Sequence, residues 1–416
     1  MTVDILLMAV PLFLALIIIE LIIDWRRKTG YYRLNDAYSS LVLGMVSRTS
    51  QLLFYVSGLT LAMAFIDGWQ LLTFSPDNPW HWALAFVLYD FTYYWKHRFG
   101  HTYNILWAGH LVHHQSEDFN LTTALRQSST GVFDWIFSIP MLLLGIPIEM
   151  LVTSAAFNLI YQFWVHTQLI DKCGWMERWF VTPSHHRVHH GQNDLYIDKN
   201  HGGVFIIWDK LFGTFQAELE SEPVIYGVSR ASNTFDPITA NLQFWGWMLK
   251  DAWYAKSWWD KLTLWFRPTG WRPRDVEALF PVAKRNLAEF SKFDPKVDVA
   301  TQRYGFLQLI MAIPVMVYYV LHFPGLEVTL VLLGFVAITM PLVTTGRMLE
   351  GKSRKPELVR LVLMWPLIAL CLSLMATSSM LVFGGYLLVN SFVYFLCFGL
   401  YRDVHSPEAH SDESVA

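Results

Sequence analysis

Apolar residues gather in this chain into long runs separated by short polar connections. A helix needs roughly 20 mainly apolar residues to cross about 30 Å of hydrocarbon. Nine segments approach that length: Ile5–Ile23, Leu41–Ile66, Pro79–Trp95, Phe133–Ile148, Leu151–His166, Tyr304–Leu321, Leu326–Val343, Leu358–Ala376 and Met380–Leu400. The fourth and fifth are short and joined by Gly145-Ile146-Pro147, which predicts a tight helical hairpin of partial or re-entrant spans. The first is too long for the apolar core of a signal peptide. No small-residue cleavage site follows it, and Arg26-Arg27-Lys28 comes after it rather than before. It reads as a retained transmembrane helix. The expectation is an all-α integral membrane protein, a multi-span helical bundle.

The basic residues orient these spans. With the segment before Leu41 inside, the inner connections hold Arg26, Arg27, Lys28, Arg33, Lys96, Arg98, Arg347, Lys352, Arg354 and Lys355. The opposite connections, near Gly68–Asn78, Pro147–Glu149, His322–Gly325 and Thr377–Ser379, hold no Lys or Arg. By the positive-inside rule, the clustered histidines then lie on the cytoplasmic side. The membrane would be a bacterial inner membrane or the endoplasmic reticulum.

Five regions follow: N-terminal spans over 1–78, a histidine-rich domain over 79–220, a polar and Trp-rich region over 221–303, C-terminal spans over 304–403, and a disordered tail over 404–416. Seven of the 19 tryptophans fall between Trp245 and Trp271, interleaved with Lys250, Lys256, Lys261 and Arg267. That mixture suits the headgroup layer, as an interfacial helix, although a Trp-rich packing surface would look similar.

Composition supports the lipid reading. Only 16% of residues are charged, against about a quarter in a soluble domain. The net charge of -3 gives no reason to expect nucleic acid or an acidic partner. Cys173, Cys371 and Cys397 form no CxxC pair, so they read as free thiols rather than a disulfide framework or thiolate site.

Ten of the 15 histidines form one pattern. His97 and His101 make HxxxH, and His110, His113 and His114 make HxxHH. His166 closes the fifth span. His186, His189 and His190 make a second HxxHH, preceded by His185. Residues three and four apart share a helical face, so His97 and His101 can bring two imidazoles to one ion. Adjacent histidines point about 100° apart and can serve neighbouring ions. The donors suffice for two metals with positions left open, whereas a single zinc needs only half of them. His185 is expected behind the ligands, because His186 already completes the spacing. His201 is left open for a metal role, and His81, His322, His405 and His410 read as ordinary helix-end residues. No acidic residue occupies the place of a hydrolytic base. Two redox metals in a nitrogen site beside lipid point to oxygen activation and attack on a C–H bond of an apolar substrate.

The clusters 97-HRFGH-101, 110-HLVHH-114 and 186-HRVHH-190 resemble the fatty acid hydroxylase/sterol desaturase superfamily of membrane di-iron oxygenases. The stretches 97–128, 158–168, 181–194 and 198–215 resemble, within it, the alkylglycerol monooxygenase family. The likeness covers most of residues 80–270, with the C-terminal spans matching more loosely. It implies two iron ions held by His97, His101, His110, His113, His114, His186, His189 and His190, with His166 a ninth ligand. It further implies O2 as co-substrate, a lipid substrate, and an external reductase or electron carrier, since no flavin or nicotinamide fingerprint is visible. Hydroxylation beside the ether oxygen of an alkylglycerol would release a fatty aldehyde and a glycerol derivative. Sterol, fatty acyl or carotenoid oxidation is the rival within the superfamily, and a metal transporter or structural zinc protein the rival outside it.

Two positions depart from the family. Other members place a histidine four residues before the equivalent of His166; here Gln162 stands there, leaving a place for water held by its amide. Animal alkylglycerol monooxygenases carry an acidic residue, associated with tetrahydropterin, directly after the second histidine of HxxxH. Here it is Thr102, which leaves pterin use open. Asp90, two turns before His97, and Glu117 and Asp118, just after the second cluster, are candidates to orient ligands from behind.

Overall fold

The computed structural model describes residues 5–66, 68–131, 133–282, 286–374 and 378–399. Helix α1 (Ile5–Arg27) exposes most of its apolar surface and buries one stripe, Phe13, Ile17, Glu20 and Asp24, at spacings of three and four. Apolar outside and carboxylates inside is the arrangement lipid solvent selects. Glu20 accepts bonds from the Leu121 N–H (2.7 Å), the Thr167 hydroxyl (2.5 Å) and the Tyr32 hydroxyl. One carboxylate thereby ties α1 to two distant segments.

Helix α2 (Leu34–Ile66) begins seven residues before the expected span, because its first turns bury Asp36, Ser39 and Ser40. Asp36 is a hub. Its carboxylate receives the Arg126 guanidinium (2.9 Å), the Ser116 hydroxyl (2.6 Å) and the Glu117 N–H (2.9 Å). Burial alone would raise the Asp36 carboxyl, but Arg126, Ser116 and Arg33 outweigh it and hold it below its ordinary value. Arg33 also binds Asp118 (3.0 Å), which in turn takes Lys292 (2.6 Å).

Helix α3 (Pro79–Thr102) starts with Asn78 accepting from the Trp80 N–H (3.0 Å) and with Pro79 in its first turn, a favourable entry. It continues past Trp95 without a break and carries His97 and His101 beyond the apolar run. One extended residue, Tyr103, separates it from α4 (Asn104–His114). The reversal is clamped by the Asn104 N–H on the Arg267 carbonyl (3.0 Å) and the Thr269 N–H on the Thr102 carbonyl (2.9 Å). The two helices pack together with their histidine faces opposed.

A one-turn helix, α5 (Leu121–Ala124), is fixed by an Asn120–Thr123 capping box. Phe133–Ile148, read as a short partial or re-entrant span, is a broken helical segment. Asp134–Ser138 is a 3-10 turn, and α6 (Ile139–Leu143) adds five residues, together about 17 Å of helix. Asp134 is paired with Lys96 at 2.9 Å, and Pro140 restarts the chain. Gly145 (φ 93°) then makes the turn; a Cβ there would stand 1.9 Å from the Leu72 carbonyl oxygen. Helix α7 (Ile148–Trp164) follows and packs on α3.

Short elements complete this part: α8 (Pro183–His189), α9 (Ile207–Leu211), α10 (Pro237–Tyr254), α11 (Trp258–Thr263) and α12 (Arg274–Leu279). The Trp-rich stretch divides its rings. Trp245, Trp265 and Trp271 pack around Ala108, Met248 and Leu264, whereas Trp253, Trp258 and Trp259 are exposed. The packing reading therefore holds for the first three rings, and the last three are free of such packing.

The chain separates into two compact units, Met1–Asp294 and Pro295–Ala416. The second comprises α13 (Val299–His322), α14 (Val328–Leu349), α15 (Lys355–Leu374) and α16 (Ser378–Phe398). α13 packs on α14 and α16, and α15 on α16. Inside this bundle Arg360 grips Glu357 through two nitrogens (2.8 and 2.6 Å), while Tyr304 and Thr344 donate to the same carboxylate. Among the described residues α1, α13, α14 and α16 are long and apolar enough to cross a membrane, so the protein is a multi-span membrane protein. The expected tail at 404–416, with His405 and His410, lies outside the described residues.

Removing the hub charge tests this scaffold. Asp36→Asn leaves Arg126 buried and unpaired, and should cost about 3–5 kcal/mol. The thermal midpoint in detergent should drop, and the double variant D36N/R126Q should recover part of the loss. Equal midpoints for wild type and D36N would contradict the hub.

Candidate metal centre

Four pieces of chain deliver nine histidines to one place. α3 contributes His97 and His101, α4 contributes His110, His113 and His114, the end of α7 leads into His166, and α8 contributes His186 and His189, with His190 capping its C-terminus. They sort into two groups. His97, His101, His110, His114 and His189 place ligating nitrogens within 4.8 Å of one another, and so do His113, His166, His186 and His190. Eight are buried and His110 is half-buried. Adjacent histidines divide between the groups: His113 and His114 part, as do His189 and His190. The angle of about 100° between neighbours on a helix turns them to opposite sides. Histidines four apart stay together, as His110 with His114 and His186 with His190.

The rings face one another through Nε2. His97 and His114 each approach His110 at 3.0 Å, while His166 lies 2.9 Å from His186 and 3.3 Å from His113. Nitrogens bound about 2.1 Å from a common ion, at right angles or tetrahedrally, would lie roughly 3.0–3.4 Å apart. The observed spacings match that requirement. The Nε2 atoms of His101 and His189 are buried without a hydrogen-bond partner, as a vacant lone pair for a metal should be. Both groups can therefore hold a metal ion.

Carbonyl oxygens set the tautomers from behind. Nδ1 of His97 meets the His201 carbonyl (2.8 Å), His113 that of Arg126 (2.9 Å), His166 that of Gln162 (2.7 Å) and His189 that of Lys199 (2.9 Å). An N–H donated there leaves Nε2 as the lone-pair nitrogen facing inward. His101 uses the Asp198 carboxylate instead, at 3.3 Å. Burial pushes the imidazoles of His110, His114, His186, His189 and His190 well below the usual histidine value, with neighbouring imidazoles adding to it. Burial likewise lowers His113, to about 4. Neutral rings are the ligating form. Phe119 stacks on His166 (5.6 Å) and Trp107 lies against His101 (5.0 Å), walling the cup with aromatic surface.

The residues expected to stand behind the ligands are placed differently. Asp90 reaches no histidine. Its carboxylate takes the Val204 and Phe205 N–H groups, the Trp208 indole and the Asn158 amide, at 2.7–3.1 Å. Gln162 is bound at both ends, accepting from Tyr93 (2.8 Å) and donating to Asn158 (2.5 Å); its backbone carbonyl, rather than its amide, serves His166. Glu117 accepts the Phe293 N–H (2.5 Å), and Asp118 binds Arg33 and Lys292, so both brace the scaffold. His185 turns to the Phe180 carbonyl (3.2 Å) and the Phe215 ring.

Sequence reasoning missed the supports. Arg126 gives its carbonyl to His113 and its guanidinium to Asp36 and Ser40. Asp209 accepts the His201 and Gly202 N–H groups (2.7 and 2.8 Å) and so fixes the turn that presents the His201 carbonyl to His97. The His201 ring itself is buried 5.0 Å from that of His101, with Nδ1 unpartnered. Two left-handed residues, Asp198 (φ 58°) and Asn200 (φ 55°), shape the approach to this turn. Asn and Asp tolerate that conformation better than most residues, which is the one local signal it carries.

Comparison with known proteins fits this geometry. Residues 82–214 match the family model described as fatty acid hydroxylase. The chain is 43% identical to human alkylglycerol monooxygenase over 267 residues, 64% of this chain and 59% of that protein. It is 37% identical to the Danio rerio alkylglycerol monooxygenase (84% of this chain, 78% of that protein) and 39% identical to that of Xenopus tropicalis (74% and 68%). The chain thus spans less than two thirds of the human relative. No solved structure matches. By its histidine-bearing core and by these relatives, the chain belongs to the fatty acid hydroxylase/sterol desaturase superfamily and, within it, to the alkylglycerol monooxygenase family.

Proposed function

We propose that this protein is a membrane di-iron monooxygenase that hydroxylates the carbon beside the ether oxygen of an alkylglycerol. The observation that carries the reading is the pair of histidine groups, five and four, whose neutral nitrogens converge at metal-ligand spacing. The relatives of the same name supply the lipid class. When bound, two iron ions at these groups would supply reduction of O2 and delivery of one oxygen atom to a C–H bond; two electrons and two protons come from a donor outside the chain. The hemiacetal so formed collapses to a fatty aldehyde and a glycerol derivative.

The chain's own residues divide the work. His97, His101, His110, His114 and His189 hold one ion, and His113, His166, His186 and His190 the other. Carbonyls of His201, Arg126, Gln162 and Lys199 keep the rings in the ligating tautomer. Phe119 and Trp107 exclude water. The basic residues on one set of connections favour a cytoplasmic site, where soluble reductants are at hand. Thr102 spends its hydroxyl on the Arg98 carbonyl (2.7 Å) and offers no carboxylate, which favours an electron carrier other than tetrahydropterin.

Metal analysis of anaerobically purified protein should return two irons per chain, and alkylglycerol plus reductant should give aldehyde only when O2 is present. His113→Ala and His189→Ala, one from each group, should each lower iron content and abolish turnover. Full activity in either variant would refute the assignment.

Asp209→Asn leaves every ligand in place but loosens the turn behind His97, so iron affinity should fall about 10–100-fold. Chelator competition measures it, and an unchanged affinity would contradict the support role.

The pH response has a definite sign. Burial holds the imidazoles of His110, His113, His114, His186, His189 and His190 below their unfolded value of about 6.5, so on acidification the unfolded chain takes up protons first. The metal-free protein should lose stability progressively as pH falls from about 6.5, and bound metal should be released over the same range. Thermal midpoints at three pH values with and without metal test this; a metal-free midpoint that rose on acidification would overturn it.

A further inference from the structure

Helix α10 carries two surfaces with different chemistry. Leu242, Leu249 and Trp253 are each more than half exposed, and so are Trp258, Trp259, Leu262 and Phe266 in the segment that follows. A run of large apolar and tryptophan side chains left open in a multi-span protein matches the bilayer interface. Trp247, Lys250 and Asp251 lie at spacings of three and four on another side of the same helix. There they line a cavity of about 180 Å³ with Arg230, Arg272 and Phe280.

The charges in this cavity do not balance. Arg272 clasps Asp251 through Nε and Nη2 at 2.6 and 2.8 Å, so the one carboxylate is satisfied. Arg230 lies over the Trp247 ring at 3.4 Å, and Lys250 over the Phe280 ring at 3.9 Å. Among the described residues neither cation has a carboxylate within ion-pair distance. Three of the lining residues are cations and one is an anion, with the Glu277 carboxylate acting on Arg272 from outside the lining. Burial, together with the nearby Arg272, lowers the Arg230 guanidinium from its ordinary value, a sign that its charge is incompletely compensated. It stays protonated at neutral pH all the same. Aromatic faces stabilise such cations only modestly and leave their N–H donors free.

We propose that this cavity binds the phosphate of an anionic membrane glycerophospholipid, with Arg230 and Lys250 as its direct partners. The guanidinium fork matches phosphate oxygens and the ammonium adds a point charge. The exposed apolar face of α10 and the segment after it would lie against the acyl chains, placing the headgroup at the depth tryptophan prefers. A soluble phosphate could use the charges but not the apolar face, and that face is why the lipid is the chosen occupant. The site lies outside the histidine cup and uses none of its residues.

Native mass spectrometry of the full-length, metal-loaded protein in neutral detergent tests this, with dioleoyl phosphatidylglycerol, dioleoyl phosphatidylcholine and sodium phosphate as probes. Phosphatidylglycerol should bind saturably at one site and about tenfold more tightly than phosphatidylcholine, and excess phosphate should not displace it. The double variant R230Q/K250Q should lose about tenfold in affinity for phosphatidylglycerol while keeping its iron content and helical circular dichroism. Each single variant, R230Q and K250Q, should also bind more weakly, which keeps the test open if the double variant folds poorly. Wild-type affinity in all variants, equal binding of the two lipids, or displacement by inorganic phosphate would each overturn the proposal.

Discussion

Imidazole nitrogens held about 3 Å apart in a buried cup are the constraint around which the first unit is organised. Two neutral Nε2 atoms at that distance present lone pair to lone pair. The arrangement is unfavourable until a cation sits between them. A chain that keeps it must fix each ring from behind. The carbonyls of Arg126, Gln162, Lys199 and His201 do this, and their own positions are set further out. Arg126 is locked by Asp36 and Ser40, and the His201 turn is locked by Asp209. Loss at the periphery therefore reaches the cup through the backbone.

Lipid solvent explains why so much of this bracing is ionic or polar. Between helices in hydrocarbon, apolar side chains gain little over lipid contact, and specific association comes from packing and hydrogen bonds. Glu20, Asp36 and Asp90 each accept several donors from segments remote in sequence. Asp90 alone joins α3 to α7 through Asn158 and to the 204–208 segment through two backbone N–H groups and the Trp208 indole. A soluble protein would place such carboxylates outside. Here they act as the joints between helices.

That inversion separates what the sequence discloses from what it hides. Helix spacing alone divides His113 from His114 and His189 from His190, because side-chain direction on a helix is set by the backbone. The long apolar runs disclose most helices for the same reason. Phe133–Ile148, mainly apolar, is broken into short pieces because Pro140, Gly145 and the Asp134–Lys96 pair outweigh its composition. The supports behind the ligands are carbonyls, and any residue type can supply a carbonyl. Asp90, Glu117 and Asp118 drew notice as acids near the clusters, yet their oxygens are occupied by the scaffold. Asp209, the acid that does shape the cup, lies 19 residues beyond the last cluster histidine, His190, and has no spacing signature.

The two histidine groups differ by one donor, and we propose that Gln162 accounts for the difference. It stands where the family resemblance implies a histidine, and its amide cannot swing toward the cup without breaking its bonds to Tyr93 and Asn158. Asn158 is held in turn by Asp90, so the amide is the end of a chain that reaches across α3 and α7. On the proposed reading, His113, His166, His186 and His190 would leave more places on their ion open to a small molecule than the five-histidine group would on its own. Metal sites that do chemistry keep such places, whereas closed ones serve structure. The four-histidine group would then be the side at which a small molecule joins the site, and the five-histidine group the one that offers its ion more protein donors.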